Sequence, residues 1–198
     1  MKARFFVSRA FFLVLMSKTL IFLSGFAVPT WLSKTKLVWN DSFWEEYNRI
    51  YIPSKTPLSD NMVDRELDHL RNIINSYPNP VVIGQSLGGW WAANLACHRN
   101  TNIDKLVLWT PVCHASVYPI FNVTERHNPI VKHNNPRMHG PHRVLISYAH
   151  DDWLVPHEYH AVSLMKKFNA TLFRLDGGHW FQDNHQQGLS FMKDWIEL

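Results

Sequence analysis

Two cysteines in 198 residues are too few for a disulfide framework, and Cys97 and Cys113 lack the spacing of a metal-binding or redox pair. A reducing, cytoplasmic setting is the expectation that follows. Runs of one charge are missing too. Twenty basic and 16 acidic residues give a net charge of +4 scattered along the chain, which argues against a massed nucleic-acid footprint. No apolar run reaches the ~18 residues of a membrane span, because Phe11–Met16 is soon closed by Lys18. With Lys2, Arg4 and Arg9 ahead of it, that run has the outline of a signal peptide. The small-residue cleavage region Ser24–Ala27, however, lies beyond Thr19–Leu23, which reads as a buried strand. Residues 1–18 are therefore expected to be a retained extension. Internal repeats, linkers and low-complexity stretches are also lacking, so residues 19–198 are expected to form one domain.

What is present is an ordinary globular composition, 46% apolar and 18% charged, in a chain long enough to bury a sizeable core. Nine tryptophans and twelve histidines are unusual, but neither count defines a function. Short apolar runs at 19–23, 36–39, 49–52, 81–83, 105–109, 143–148 and 170–175 read as strands. Between them, Val63, Leu67, Leu70, Ile74 and Tyr77 recur at helical spacing, with Ser59 or Asp60 available as the cap. Helices are also predicted over 87–98, over 158–168 and at the C-terminus. Residues 110–141 hold five prolines and no periodicity, and are read as a loop-rich insert over the mouth of a site. Strands alternating with helices predict a doubly wound α/β fold, with a mostly parallel sheet and helices on both faces.

The most informative segment is Pro80–Gly89. A β-branched run enters Gly84-Gln85-Ser86-Leu87-Gly88-Gly89, and a helix-forming stretch follows at once. Strand, glycine-flanked serine and helix are the context of a nucleophile elbow. There the glycines sit where a Cβ would strike the neighbouring strand or helix, and the helix N-terminus favours negative charge beside the serine. A serine hydroxyl needs a base, and the base needs an orienting group. In a parallel sheet both are expected on loops at the carboxyl ends of later strands. Strand 143–148 runs into His150-Asp151-Asp152-Trp153-Leu154-Val155-Pro156, and strand 170–175 runs into Asp176-Gly177-Gly178-His179. Asp183 and His185 stand nearby as weaker acid and base candidates. His127, His133, His139 and His142 in the insert lack cysteine partners and i, i+4 spacing, so no metal site is expected.

On these residues the chain resembles the α/β-hydrolase superfamily, particularly its small serine hydrolases with little or no lid. Gly84–Gly89 is similar to the family's Gly-His-Ser-x-Gly-Gly elbow. Asp152-Trp153-Leu154-Val155-Pro156 is similar to its Asp-x-x-Val-Pro acid loop, and Gly178-His179 to the Gly-His that carries the base. Ser24-Gly25-Phe26 corresponds to the His-Gly-Phe type of oxyanion loop. The resemblance covers residues 19–198. Ser24 replaces the usual histidine, Gln85 the frequent histidine before the serine, and Ala149 a glycine of the acid loop.

The resemblance implies Ser86 as nucleophile, His179 as base and Asp152 as its orienting acid, with the backbone N–H groups of Phe26 and Leu87 as the oxyanion hole. It implies a hydrolase of carboxylic esters or related small acyl substrates that needs no cofactor and no metal. An amidase or peptidase with the same triad, or an inactive binding module on the same fold, are the alternatives.

Overall fold

The computed structural model describes residues 18–25, 44–98, 100–131, 143–180 and 184–198. Six strands occupy Thr19–Leu23 (β1), Asn48–Ile52 (β2), Val81–Gln85 (β3), Lys105–Trp109 (β4), Arg143–Ala149 (β5) and Thr171–Leu175 (β6). They form one sheet in the order β2-β1-β3-β4-β5-β6, and all five pairings are parallel. The chain therefore reverses its direction of winding between β1 and β3, the kind of switch point at which open α/β sheets leave a crevice. The expected strand at 36–39 and residues 1–17 lie outside the described residues.

Buried at every position, β1, β3 and β4 read as near-continuous apolar runs, yet the side chains of the sheet sort by parity. Ile21, Leu23, Val82, Leu106, Leu108, Val144 and Ile146 face one layer, while Leu20, Phe22, Val81, Ile83, Val107, Trp109 and Leu145 face the other. The first layer holds the helices Asp60–Asn75 (α1), Leu87–Ala96 (α2) and Ala161–Phe168 (α3). The second holds His185–Glu197 (α4), through Leu189, Met192 and Ile196. Each such aliphatic side chain taken fully out of water contributes about 1.5–3 kcal/mol.

α1 follows its sequence stripe: Val63, Leu67, Leu70 and Ile74 are buried, and Ser59 accepts the Met62 N–H as N-cap. Asp60 is not the cap. Its carboxylate accepts from the Thr124 backbone N–H at 3.0 Å and hydroxyl at 2.8 Å, tying the insert to the start of α1. α2 is buried on every side, as a helix apolar all round must be. α3 starts at Ala161, three residues later than its apolar pattern predicts. The chain turns over 156–160 instead, where the His160 ring accepts the Cys113 backbone N–H. The described part of the insert carries two short 3-10 turns, Ala115–Val117 and Glu125–His127.

Candidate active site

Ser86 follows the last residue of β3 with φ 52° and ψ −118°, a conformation that a non-glycine residue adopts only under constraint. The constraint is visible on both sides. Ser86 donates its N–H to the Trp109 carbonyl at 2.9 Å, and its own carbonyl accepts from Val112 at 3.0 Å and from Gly89 at 2.9 Å. A Cβ on Gly84 would lie 2.5 Å from the Gly88 carbonyl oxygen and 2.7 Å from Ala92 Cβ, so β3 and α2 touch there. A Cβ on Gly88 would enter the Leu23 and Ser24 carbonyls at the end of β1. The turn thus sits in the crevice at the switch point, against the loop that follows β1. Ser24, the residue after β1, is itself anchored: its Oγ accepts the Ser54 N–H at 3.2 Å, and Ser54 Oγ donates to the Ser24 carbonyl.

Asp152 and His179 meet across 27 residues of sequence. His179 Nδ1 lies 2.7 Å from Asp152 Oδ2, and both side chains are almost wholly buried. Asp152 Oδ1 accepts the backbone N–H groups of Leu154 and Val155, each at 2.9 Å. With one carboxylate oxygen held by its own loop, the other is aimed at the imidazole. An Nδ1–H that donates to a carboxylate leaves Nε2 as the basic nitrogen of the ring. Ser86, Leu87 and His179 line one small pocket of about 90 Å³, closed by apolar side chains that include Val112, Tyr118 and Leu154. Leu87 is the first residue of α2, and an N–H in that position has no partner within its helix.

Solved structures share this architecture. One is a protein assigned to the alpha/beta superfamily of hydrolases from Xanthomonas campestris pv. campestris, at 19% identity and a TM-score of 0.61, with 92% of this chain and 99% of that one covered. Another is an alpha/beta hydrolase enzyme from the sediment metagenome of the Mar Chica lagoon, Morocco (19% identity, TM-score 0.61, 91% of each chain). A third is a serine hydrolase from Cycloclasticus zankles (14% identity, TM-score 0.60, 91% of this chain and 90% of that one). The protein has the α/β-hydrolase fold. No protein-family model and no curated protein matches the sequence.

Within this α/β-hydrolase fold, the expected site residues divide cleanly. Ser86, Leu87, Asp152 and His179 come together; Phe26 and Asp183 lie outside the described residues. His185 opens α4, with its ring 6.0 Å from that of Trp109. Its place is against the sheet face that α4 covers. His127 is buried between Asp60 and Asp64 of α1, where it helps to seat the insert. Gln85 is buried, and its side chain shares the face of Val81 and Ile83.

Three contributors escape the sequence reading. Asp151 accepts the Gly178 N–H at 2.9 Å and the Gly177 N–H at 3.1 Å, so it clamps the turn that presents His179. The Gly178 N–H, with help from that of Gly177, holds the Asp151 carboxyl below the usual carboxylate range. Thr110, at φ 42°, donates its hydroxyl to the His179 carbonyl at 3.4 Å. His160 accepts the Cys113 N–H at 3.0 Å through Nδ1, which assigns the ring proton to Nε2, 3.2 Å from Tyr118 Oη. Burial, with His114 adding to it, pushes His160 down to about 4. A paired Asp-Asp was the signal for Asp151; nothing in the sequence marks Thr110 or His160.

Proposed function

We propose that the protein is a serine hydrolase of carboxylic esters. The observation that carries this reading is a serine on a strained, glycine-flanked turn sharing a small pocket with a histidine whose Nδ1 is 2.7 Å from a buried carboxylate. In the proposed reaction Ser86 Oγ attacks the acyl carbon and gives its proton to His179 Nε2. That proton passes to the alcohol oxygen as the acyl–oxygen bond breaks, leaving the acyl group on Ser86. Water, activated by the same nitrogen, then releases the acid. Asp152 stabilises the imidazolium formed in each half, and the Leu87 N–H, at the start of α2, donates to the oxyanion. A second donor from the loop after β1, at Phe26, belongs to the same proposal. No other group is called on for the chemistry.

The test is labelling with a small fluorophosphonate. The wild-type protein is expected to be modified at Ser86, and Ser86→Ala to be unlabelled with an unchanged circular dichroism spectrum. A folded wild-type protein that resists the probe would remove the enzymatic reading.

A further inference from the structure

The Ser86 pocket has a much larger neighbour, an open groove of about 490 Å³ walled by His114, Val117, Pro156 and Tyr159. Tyr118 and Leu154 line the groove and the Ser86 pocket alike, and so stand between them. Pockets that enclose a whole drug-sized ligand run from about 300 to 1,000 Å³. The groove falls in that range and the Ser86 pocket, at about 90 Å³, falls far below it. Ser86 and His179 both line the smaller space, so a group must fit there to react.

Tyr118 is fixed in its place. Its Oη donates to the Leu154 carbonyl at 3.0 Å and accepts from His160 Nε2 at 3.2 Å. Its ring stacks on that of His160 at an interplanar angle of 20°, and lies 5.9 Å from that of Phe121. His160 is itself buried, with Nδ1 accepting the Cys113 N–H. Swinging the phenol aside would break both of its hydrogen bonds. It would also leave the His160 Nε2–H, on a buried ring, without an acceptor. The wall between the two spaces is therefore stiff. On the groove side, Val117 and Tyr159 are 62% and 70% exposed, apolar surface open to any group that could reach it.

We infer that Tyr118 is the specificity-determining residue of the site: its anchored ring closes the Ser86 pocket against the groove and confines hydrolysis to esters whose pocket-side group is small. This rests on the ester-hydrolase reading above and adds a size limit to it. The limit applies to whichever ester group, acyl or alcohol, lies against Tyr118. It works by volume rather than polarity, because Val112, Ile120, Phe121 and Leu154 make the rest of the pocket wall apolar. Without the phenol ring the two spaces would join, and an apolar group too large for the pocket could extend between Val117 and Tyr159.

Two ester series test this. One holds p-nitrophenol constant and lengthens the acyl group from acetyl to octanoyl. The other holds acetate constant and enlarges the alcohol from phenol to 2-naphthol and 4-phenylphenol, which are similarly acidic. In the wild type kcat/KM is expected to fall at least tenfold along at least one series. Tyr118→Ala removes the ring, and is expected to shrink that fall at least fivefold. Leu154→Ala removes the neighbouring part of the wall, keeps the Leu154 carbonyl, and is expected to act the same way. Tyr118→Phe keeps the ring but gives up both hydrogen bonds, and its fall is expected to lie between those of the wild type and Tyr118→Ala. A wild-type protein indifferent to size in both series would overturn the inference, as would an undiminished fall in whichever folded alanine variant is obtained. A Tyr118→Phe profile equal to that of the wild type would overturn the anchoring by His160 and Leu154. If Ser86 takes the fluorophosphonate while any of these results is found, the hydrolase reading stands and the role of Tyr118 alone is lost. If Ser86 takes no label and no ester is cleaved, both fall.

Discussion

The turn that carries Ser86 and the loops that carry Asp152 and His179 are built by opposite means. At the turn, glycines are needed for space: Gly84 and Gly88 let backbone from β1, β3 and α2 approach more closely than any Cβ allows. In the His179 loop, Gly178 has nothing within 4 Å of its missing Cβ, and glycine is needed for its φ of +64°. The turn spans six residues and is held by close packing of backbone against backbone. The Asp152–His179 pair is assembled from two distant loops by hydrogen bonds, through Asp152 to His179 and through Asp151 to Gly177 and Gly178. A packed turn resists changes of volume poorly and changes of charge well, whereas the two loops should behave the other way round.

The largest expected effect comes from charge in the loops. Asp152→Asn keeps the size but removes the carboxylate that selects the His179 tautomer, and kcat for the best ester is expected to fall by roughly 10⁴-fold. Its unfolding midpoint should move far less than its activity. Volume at the turn comes next. Gly88→Ala is expected to cost about 3 kcal/mol in urea unfolding, because backbone carbonyls rather than a flexible side chain stand in the way. Equal stability in Gly88→Ala would contradict the packing account of the elbow.

Acidity separates the two regions further. His160 is held neutral by burial at about 4, with His114 adding to the shift and Asp152 opposing it, against an ordinary value of 6.5. Between those values the unfolded chain binds the proton more readily than the folded one. Stability contributed by the neutral ring is therefore complete above 6.5 and is lost as the pH falls toward 4. A loss on the order of 1–2 kcal/mol between pH 7.5 and pH 5 is expected from this group. His160→Asn, which keeps an acceptor near Nδ1 but cannot titrate, should flatten the profile; an equally steep one would assign it elsewhere.

The smallest effect sharpens the contrast between two neighbouring carboxylates. Asp151→Asn is expected to lower kcat roughly tenfold with little change in KM, since it loosens the placement of His179 without touching its charge partner. Steady-state kinetics compared with Asp152→Asn would distinguish positioning from participation.

Much of this molecule was legible as letters. Alternating apolar runs announce parallel strands and helices, and the α1 stripe matches the helix to within two residues, while the choice of Ser59 over Asp60 as cap needs the structure. The Ser86 turn, the Asp152 loop and the Gly178-His179 turn are each legible as local structure because their physical causes are local: a turn type, a loop that caps its own carboxylate, a strand end. Helix α3 is shorter than its apolar pattern, which continues toward residue 158, because a tertiary contact claims the His160 ring. Local pattern does not separate Asp152 from Asp151; in the structure Asp152 meets an imidazole as well as backbone N–H groups, and Asp151 accepts from backbone N–H groups.

The sequence by itself determined the order of elements and the Ser, Asp, His succession, since periodicity and glycine placement act over a few residues. Only the tertiary structure decided that Asp151 and Thr110 steady the histidine turn, and that Tyr118, held by His160 and Leu154, divides a small pocket from a large groove. Those contacts join residues 26 to 69 positions apart, and no local pattern encodes a distance that packing alone creates.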